Sequence, residues 1–383
     1  MIRTQKVRLF PNSHMQIALN DLCNYRRYCW NSALATWNEL YEVYCLNSEN
    51  DFKPSQRLVR NELVANKADW QYGLSARALQ LAVADLGNAW QNFFDQAQPD
   101  WGRPKFKSKR APRQGFKTDR AKLVAGKLRL DKPRGVKDWY DIRFNKQVDL
   151  SGKLKAVSIY RENGIYWACL NLEVTIKPKV KTNQVTAVDV NVGHLNYTLG
   201  VLKTLPLKLM RLYSRIKFYQ RQLARKRQVN GKQATKMKAY LAMKNKLQRD
   251  YRKVADCQHD LMHKFTTMLV TQFDTIVIED LAVKKMQMTH VASKGLHRSM
   301  FGYFRQLLTY KCQWYGKKLI LADRLYPSTQ RCSACGHIKQ GEDKVSLQGN
   351  YRHGTRHNEY DCYHCGAKLE RDENAVANLL ALI

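Results

Sequence analysis

The sequence predicts an α+β protein of several domains, in which an N-terminal β-barrel with a helical insertion precedes a mixed sheet covered by helices. Two patterns support this fold class. In the first half of the chain, strand-like segments lie on both sides of a long stretch with helical spacing of apolar residues. In the second half, short apolar strands alternate with helices, as in sheets that pack against helices. The 383 residues suffice for roughly two or three domains.

The first half begins with a predicted strand at 6–10, which ends at the turn that Pro11 begins. Apolar residues at helical spacing then predict helices at 19–44, 57–66 and 76–94. Strand signals return at 122–130 and 140–144. Residues 156–161 and 165–175 should form a hairpin, because Glu162-Asn163-Gly164 between them favours a tight turn.

The second half opens with an apolar strand at 185–190, whose predicted hairpin partner is 196–201. A charged helical hairpin follows at 207–227 and 234–272, broken at Asn230-Gly231. The remaining predicted elements are a strand at 275–278, a helix at 302–315, a strand at 318–322, a cysteine-rich segment and a helix at 373–382.

The chain is strongly basic, since 66 Lys and Arg against 32 Asp and Glu leave a formal charge of +34. Such self-repulsion favours a polyanionic partner and argues against a lightly charged metabolic enzyme. The 44% of hydrophobic residues argues against a disordered basic tail. Two stretches hold much of the excess, with 14 basic residues at 103–137 and 17 at 203–253.

No run of about 18 apolar residues could cross a bilayer, and residues 1–10 lack the apolar core of a signal peptide. We therefore expect a cytoplasmic protein that does not bind membranes. In that reducing compartment the scattered cysteines should be small buried hydrophobes. These cysteines are Cys23, Cys29, Cys45, Cys169, Cys257 and Cys312.

Four further cysteines form two pairs on tight knuckles, each followed by glycine: Cys332 with Cys335, and Cys362 with Cys365. This pattern predicts tetrahedral coordination of one structural Zn²⁺, with no position left for water. Two redox or disulfide pairs are the alternative, which the cytosolic context disfavours. The long interval between the pairs predicts a projecting loop at 339–358. The nearby histidines should face solvent or phosphate: His337, His353, His357 and His364.

Three acids that are far apart in sequence form a second candidate site. Asp189 interrupts an apolar strand, Glu279 and Asp280 end another, and Asp372 precedes the last helix. An acid inside an apolar strand is costly unless it is paired or binds a metal, and neighbouring acids repel each other unless cations bridge them. Two Mg²⁺ ions about 4 Å apart are a known arrangement for phosphodiester hydrolysis. Taken alone, each acid could instead cap a helix, as Asp372 would.

Several motifs resemble those of the TnpB (OrfB) family, RNA-guided DNA nucleases that are encoded by insertion sequences and related to compact type V CRISPR effectors. The specific motifs lie in the second half: Ala187-Val188-Asp189, Val277-Ile278-Glu279-Asp280-Leu281, Pro327-Ser328-Thr329-Gln330-Arg331-Cys332 and Arg371-Asp372-Glu373-Asn374-Ala375. Weaker similarities in the first half include Val7-Arg8-Leu9-Phe10-Pro11, Ala78-Leu79-Gln80 and Gly102-Arg103-Pro104-Lys105-Phe106-Lys107. One departure is Asn191-Val192-Gly193-His194, which stands where the family usually has a Gly-Ile-Lys type of sequence.

The resemblance implies a wedge β-barrel at 1–12 and 101–183 and a helical recognition insertion at 13–100. It further implies a RuvC-like domain of RNase H fold at 184–327 and 367–383, with a zinc ribbon inserted at 328–366. The catalytic roles fall on Asp189, Glu279 and Asp372 as Mg²⁺ ligands. A monomer with guide RNA, in the prokaryotic cytosol or nucleoid, would then cut double-stranded target DNA next to a short flanking motif.

The basic stretches suit nucleic acid. Residues interleaved with Trp101 and Phe106 would hold the RNA backbone: Arg103, Lys105, Lys107, Lys109 and Arg110. Arginines on the charged helical hairpin would line the guide–target heteroduplex or the scaffold RNA: Arg211, Arg215, Arg221 and Arg225. Gln80 could pair with adenine of the flanking motif, and Arg77 with guanine or phosphate. For any one of these residues, the simpler alternative is a solvated helix face.

Two other functions remain as alternatives. A nuclease-silent, RNA-guided DNA-binding repressor is the first, although such a protein has no need to hold three mutually repelling acids. A transposase that joins strands itself is weaker, because the sequence has neither a plausible His-x-His pair with a nearby Tyr nucleophile nor another recombinase signature.

Overall fold

The computed structural model of the chain describes residues 1–46, 53–95, 102–145, 149–282, 286, 293–346, 348–350 and 352–383. The chain divides into two compact units, Met1–Thr175 and Ile176–Ile383. Across these described ranges, no helix combines the length and the apolar character that crossing a membrane requires. Trp101, which the sequence places beside the basic stretch, lies outside the described residues.

A seven-stranded antiparallel sheet forms the frame of the first unit. Its strands are β1 (Ile2–Phe10), β2 (Arg113–Thr118), β3 (Lys122–Val124), β4 (Lys127–Arg129), β5 (Ile142–Phe144), β6 (Lys153–Glu162) and β7 (Ile165–Glu173). Their order is β2-β6-β7-β1-β5-β4-β3, which leaves β2 and β3 at the two edges.

Two predictions for this sheet are confirmed. The β6–β7 hairpin is present, and its turn residues Asn163 and Gly164 have φ angles of 50° and 75°, as a two-residue hairpin turn requires. Residues 122–130 form β-structure, in which the chain turns back at Ala125 and Gly126 and makes the antiparallel pair β3–β4.

Three helices follow β1 and build a core of their own: α1 (Ser13–Leu46), α2 (Gln56–Ala65) and α3 (Ala76–Phe94), with a 3₁₀ turn at Asp69–Gly73. The predicted helices are thereby confirmed, but α1 begins earlier than expected. The reason is the side chain of Asn12, which accepts a hydrogen bond from the Met15 amide (2.9 Å) and caps the helix. Trp37 of α1 and Trp90 of α3 stack in this core with ring centroids 5.9 Å apart.

A five-stranded mixed sheet organises the second unit. Its strands are β8 (Val185–Asn191), β9 (His194–Tyr197), β10 (Gly200–Lys203), β11 (Thr275–Glu279) and β12 (Lys318–Ala322), in the order β10-β9-β8-β11-β12. Strands β8 to β10 pair antiparallel, whereas β11 is parallel to both β8 and β12. The partner strand predicted at 196–201 is therefore corrected to two strands separated by Thr198 and Leu199.

Helices cover both faces of this sheet. The helices of this unit are α4 (Leu207–Asn230), α5 (Lys238–Gln272), α6 (Ser293–Ser299), α7 (Phe301–Tyr315) and α8 (Arg371–Leu380), of which α4 packs on α5. On one face, Val188 and Ile278 pack in the same core as Leu269 of α5 and Phe304 of α7. On the other face, apolar residues of β8 and β11 pack against Val376 of α8. The predicted helical hairpin is confirmed as α4 and α5, joined by a 3₁₀ turn at Gly231–Lys236.

The cysteine-rich segment connects β12 to α8. It contains the short strands β13 (Glu359–Asp361) and β14 (Lys368–Glu370) and a 3₁₀ turn at Gly341–Asp343. Of the six scattered cysteines, Cys23, Cys29 and Cys312 are buried and two are partly buried. The expectation of burial is wrong for Cys45, whose position near the end of α1 leaves its side chain exposed.

Candidate functional site

The sheet of the second unit brings two of the three predicted acids to the same end. Strands β8 and β11 are parallel neighbours, with Ile278 opposite Val188. Asp189 and Glu279 are the next residues on these strands. Because side chains alternate between the two faces of a sheet, both acids lie on the face that α8 covers.

Helix α8 supplies the third acid. Its N-cap is Glu370, whose side chain accepts a hydrogen bond from the Glu373 amide (2.7 Å). Asp372 therefore lies inside the first helical turn and is not the cap, and the helix begins at Arg371, two residues earlier than predicted. Asp372 is only 6% exposed.

The three carboxyl groups act on one another. Asp189 is 5% exposed. Burial, followed by the negative charges of Glu279 and Asp372, raises the pKa of Asp189 to about 7. A hydrogen bond from Asn191 Nδ2 to Asp189 Oδ2 (2.6 Å) opposes this rise only in part. The structure thus brings the three acids of the sequence prediction into one electrostatic site.

The other two acids have different surroundings. Burial raises the pKa of Glu279, although Ser328 Oγ donates a hydrogen bond to Glu279 Oε1 (2.5 Å). For Asp372 burial also favours the neutral form, but His194 and Arg371 outweigh it and hold the pKa below its usual value. His194 Nε2 lies 2.9 Å from Asp372 Oδ2, and Arg371 donates to Oδ1 from Nε (3.1 Å) and Nη2 (2.9 Å). Asp372 is therefore held as a carboxylate, whereas Asp189 is easily protonated.

Sequence reasoning missed Asn196, which belongs to the same site. Asn196 on β9 is the cross-strand partner of Asp189 and is 8% exposed. Its buried Oδ1 has no hydrogen-bond partner among the described residues, an arrangement that is costly unless a ligand supplies one. The alternation of β9 was the available signal, because it places Leu195 in the core and Asn196 on the opposite face.

Asp280 does not join the site, although it follows Glu279 directly. Its carboxylate forms ion pairs with Arg305 and Arg324, the second at 2.8 Å. These ion pairs hold its pKa low, although burial opposes them. Asp280 thus has the ordinary role of a paired surface acid.

The acid site suits a hard cation. It offers carboxylate oxygens and the unpartnered amide oxygen of Asn196, which are the donors that Mg²⁺ prefers. The sulfur atoms of the four cysteines all lie within 4.8 Å of one another. Within the described ranges, this is the group of three or more metal-ligating residues that is so compact. The three acids do not form such a compact group.

The four cysteines form the second candidate centre. Cys332 Sγ lies 3.8 Å from Cys365 Sγ, and Cys335 Sγ lies 3.6 Å from Cys362 Sγ. A tetrahedral ZnS₄ site with Zn–S bonds of about 2.3 Å has sulfur–sulfur edges of about 3.8 Å. The cluster therefore fits a zinc site of the structural type.

Aromatic and basic side chains surround this cluster. His337 and His364 stack with ring centroids 5.0 Å apart and planes at 6°. His353 is exposed, as expected, and its ring also contacts Asp343 (2.8 Å) and stacks on Tyr363. Within the predicted loop, the described residues Asn350 and Thr355 pair with each other.

A short segment, 328–333, ties the cysteine cluster to the acids. Ser328 contacts Glu279, as described above. From α8, Asn378 Nδ2 donates to the carbonyls of Ser328 (2.8 Å) and Arg331 (2.6 Å). Asn374 Nδ2 donates to the Arg331 carbonyl (2.7 Å), and the Ser333 amide donates to Asn374 Oδ1 (2.8 Å). Both asparagines are 2% exposed, so these bonds are shielded from water.

The predicted nucleic-acid residues divide into paired and unpaired groups. Arg77 forms an ion pair with Asp119 and donates from Nη1 to Gln80 Oε1 (2.7 Å), which leaves the Gln80 NH₂ group as a donor. On α4, Arg215 binds the buried Asp250 (3.0 Å). The other arginines predicted on this helix, Arg211, Arg221 and Arg225, are exposed.

The basic stretch after residue 102 packs partly against the helices. The Arg103 guanidinium lies 5.2 Å from the Tyr41 ring centroid, and Lys107 Nζ lies 3.4 Å from the Trp30 ring centroid. Lys105, Lys109 and Arg110 are exposed. 

Known proteins share this architecture. The chain is 30% identical over 312 residues to a Streptomyces pristinaespiralis protein named "Putative RNA-guided DNA endonuclease", covering 80% of this chain and 71% of that one. The chain belongs to the TnpB family. A second TnpB-family relative is the Escherichia coli strain K12 protein named "Putative RNA-guided DNA endonuclease InsQ". It is 26% identical, and the match covers 98% of this chain and 91% of that protein.

Three family models match successive parts of this TnpB-family chain. They are a helix-turn-helix domain at 1–44, a "Probable transposase" model of the OrfB_IS605 type at 168–289 and a Cas12f1-like TNB domain at 301–379. Residues 1–44 form β1 and most of the continuous helix α1, so they do not adopt two helices joined by a turn. The fold is similar to the protein in a Cas12f1–sgRNA–target DNA complex, with a TM-score of 0.52, 12% identity and coverage of 99% and 98%.

Proposed function

We propose that the chain is an RNA-guided endonuclease that hydrolyses phosphodiester bonds of double-stranded DNA at Asp189, Glu279 and Asp372. One observation carries this proposal: Asp189 is a buried acid that has no ion-pair partner among the described residues and lies in the field of two further acids. Folding such a group is costly unless a cation compensates it. Relatives named as RNA-guided DNA endonucleases support the choice of substrate and guide.

The topology supports a RuvC-like nuclease domain. Three antiparallel strands followed by two parallel ones, in the order β10-β9-β8-β11-β12, form the sheet arrangement of the RNase H fold. We assign this domain to 184–327 and 367–383, with a zinc ribbon at 328–366. The sheet of the first unit would be the wedge barrel, at 1–12 and 101–183, and its helices the recognition insertion, at 13–100.

Asp189, Glu279 and Asp372, with the amide oxygen of Asn196, would hold Mg²⁺. Two such ions supply Lewis-acid stabilisation of the attacking and leaving oxygens during in-line displacement at phosphorus. The remaining contributions come from the chain. Asn191 and Ser328 orient the first two acids by the hydrogen bonds described above, and Arg371 fixes the orientation of Asp372.

The basic residues would hold the nucleic acids. The exposed arginines of α4, together with Lys105, Lys109 and Arg110, can neutralise phosphates of a guide RNA or a heteroduplex without base contacts. The free NH₂ group of Gln80 is available for the flanking motif of the target DNA. We further propose that a monomer with its RNA acts in the cytoplasm on DNA, in association with an insertion sequence.

Plasmid cleavage tests the proposal. The protein is purified with its co-expressed RNA and incubated in Mg²⁺ with a plasmid that carries a guide match and flanking motif. We expect linear product from the wild type. We expect none from Asp189→Ala, Glu279→Ala or Asp372→Ala, although each complex still shifts the target in a gel.

The matched control removes an acid from the same unit: Asp260→Asn, at an exposed position on α5 that pairs with Lys264, should cut normally. If the wild-type complex shifts the target but leaves it intact in Mg²⁺, the RNA-guided repressor is the correct function. Cleavage by any one of the alanine variants would remove that acid from the site.

A further inference from the structure

The first unit contains a basic cavity that the nuclease site does not use. Its volume is about 530 Å³, within the range of sites for small molecules. It lies between α1, the residues before β2, and the edge pair β2–β6. Five cations line it: Arg26, Arg27, Lys107, Arg113 and Lys117. Asp and Glu do not occur among the residues that line it.

The cations are only partly neutralised within the described chain. Arg26 and Lys117 both bind Asp85. Arg27, Lys107 and Arg113 form no ion pair with another described residue. The buried Nε of Arg27 has no hydrogen-bond partner in these parts of the chain either. A donor that is both buried and unpaired is costly, and an anion in the cavity would relieve that cost.

The surroundings of Lys107 disfavour its charged ammonium group. Burial, and after it the positive charge of Arg26, lowers the pKa of its ammonium group to about 7. Lys117 acts in the same direction, and Asp85 opposes both. An anion beside Lys107 would reverse this shift.

The cavity wall is rigid before any ligand arrives. Asn31 binds the Lys107 backbone twice, donating to its carbonyl (3.0 Å) and accepting from its amide (2.8 Å). Trp30 Nε1 donates to the Lys105 carbonyl (3.0 Å). Phe106 lies between these two anchored residues, and its side chain is 60% exposed at the cavity. A large aromatic ring on a fixed backbone, exposed beside cations, is the arrangement that proteins use to stack unpaired bases.

We propose that this cavity binds one phosphodiester group of a single-stranded nucleic acid, with an adjoining unpaired base stacked on Phe106. The inference rests on the proposed function only for the presence of nucleic acid. RNA and DNA share this chemistry, so the experiment includes both.

Fluorescence anisotropy on the full chain, freed of nucleic acid at high salt, provides the test. The probes are labelled 12-residue oligouridylate, oligothymidylate and an abasic deoxyribose-phosphate oligomer, each titrated at several salt concentrations. The logarithm of the binding constant falls as the logarithm of the salt concentration rises. For Arg27→Gln/Arg113→Gln, this negative slope should become shallower by about 0.7, the contribution of one phosphate of a single strand. The matched control, Lys177→Gln/Lys181→Gln, removes two exposed charges outside both basic stretches and should leave the slope unchanged.

Phe106→Ala separates stacking from charge. We expect affinity for both base-containing probes to fall at least about fivefold, at an unchanged salt slope, with no loss for the abasic oligomer. This exposed substitution also keeps the proposal testable if the arginine variant folds poorly, which thermal melting reports. A larger effect with oligouridylate assigns the cavity to RNA, and a larger effect with oligothymidylate assigns it to DNA.

The proposal is overturned if the arginine pair and the control pair change the slope equally, or if Phe106→Ala weakens the abasic probe as much as the others. Because this assay needs neither guide nor cleavage, its failure is distinct from a failure of plasmid cutting.

Discussion

The cysteine cluster should control the acid site, although none of its residues touches the acids. We expect Cys362→Ser to remove both zinc and most DNA cleavage. Cys362 is 2% exposed, and serine offers a harder, shorter ligand that cannot complete a ZnS₄ tetrahedron. Because structural zinc contributes on the order of 10 kcal/mol to local folding, the ribbon should open when one ligand is lost.

The size of the effect on cleavage follows from segment 328–333. Four hydrogen bonds, one buried and three partly buried, join it to Asn374 and Asn378 of α8, the helix that carries Asp372. At about 1 kcal/mol each, they supply about 4 kcal/mol of coupling, equivalent to roughly a thousandfold change in population. Ser328, in the same segment, also orients Glu279. We therefore expect cleavage to fall between about tenfold and a thousandfold, since some bonds re-form with water or with the open chain.

The assay combines zinc content by mass spectrometry with the rate of plasmid cleavage. Wild type should carry about one zinc per chain, and Cys362→Ser a small fraction of that. Cys45→Ser is the matched control, because Cys45 is an exposed cysteine outside the cluster. Two results would refute the reasoning: full zinc in Cys362→Ser, or loss of zinc with an unchanged cleavage rate. The first would exclude Cys362 as a ligand, and the second would exclude the coupling through segment 328–333.

Three further predictions concern single side chains. In EDTA, Asp189→Asn should raise the melting temperature, and the gain should be larger at pH 8 than at pH 5. The reason is that the raised pKa of Asp189 makes its ionised form increasingly costly to the fold as pH rises from 3.8 to about 7. An equal gain at both pH values would contradict this. Burial lowers the pKa of Lys311 to about 8. Between pH 8 and 10.5 the amine loses a charge that is costly in the fold, so the stability of the wild type should rise relative to that of Lys311→Met. Melting temperatures that change in parallel with pH in the two proteins would argue against this. Gln80→Ala should reduce cleavage of plasmids with the preferred flanking motif by about fivefold to a hundredfold, because one base contact is lost. Cleavage of a library of flanking sequences measures this effect. An unchanged sequence preference would show that Gln80 does not contact the motif.

The sequence predicted those elements whose signals are local. The β6–β7 hairpin follows from Asn163-Gly164, and the helices α1 to α5 follow from apolar spacing. It failed where a single residue decides a boundary. Asn12 starts α1 early, and Glu370 takes the cap position that Asp372 could have had.

For the acid site, the sequence identified the unusual residues but not their surroundings. An acid in an apolar strand is visible as a pattern, so Asp189 could be chosen without a structure. Asn196 was not chosen, because alternation alone leaves a lone asparagine ordinary until its partner across β8–β9 is known. The same holds for His194, which contacts Asp372 from 178 positions away in the chain, and for Arg371, its neighbour in sequence.

Ion pairing distinguishes Asp189 from the other buried acids. Asp250 and Asp372 are as deeply buried as Asp189, but Asp250 is neutralised by Arg215 and Asp372 by Arg371 and His194. Asp280, beside Glu279 in the sequence, is neutralised by two arginines. In the described parts of the chain, Asp189 is the buried acid without an ion-pair partner, despite a formal charge of +34. With so many cations in the chain, a buried carboxyl that has none of them as an ion-pair partner is the feature that favours the proposed cation at this site.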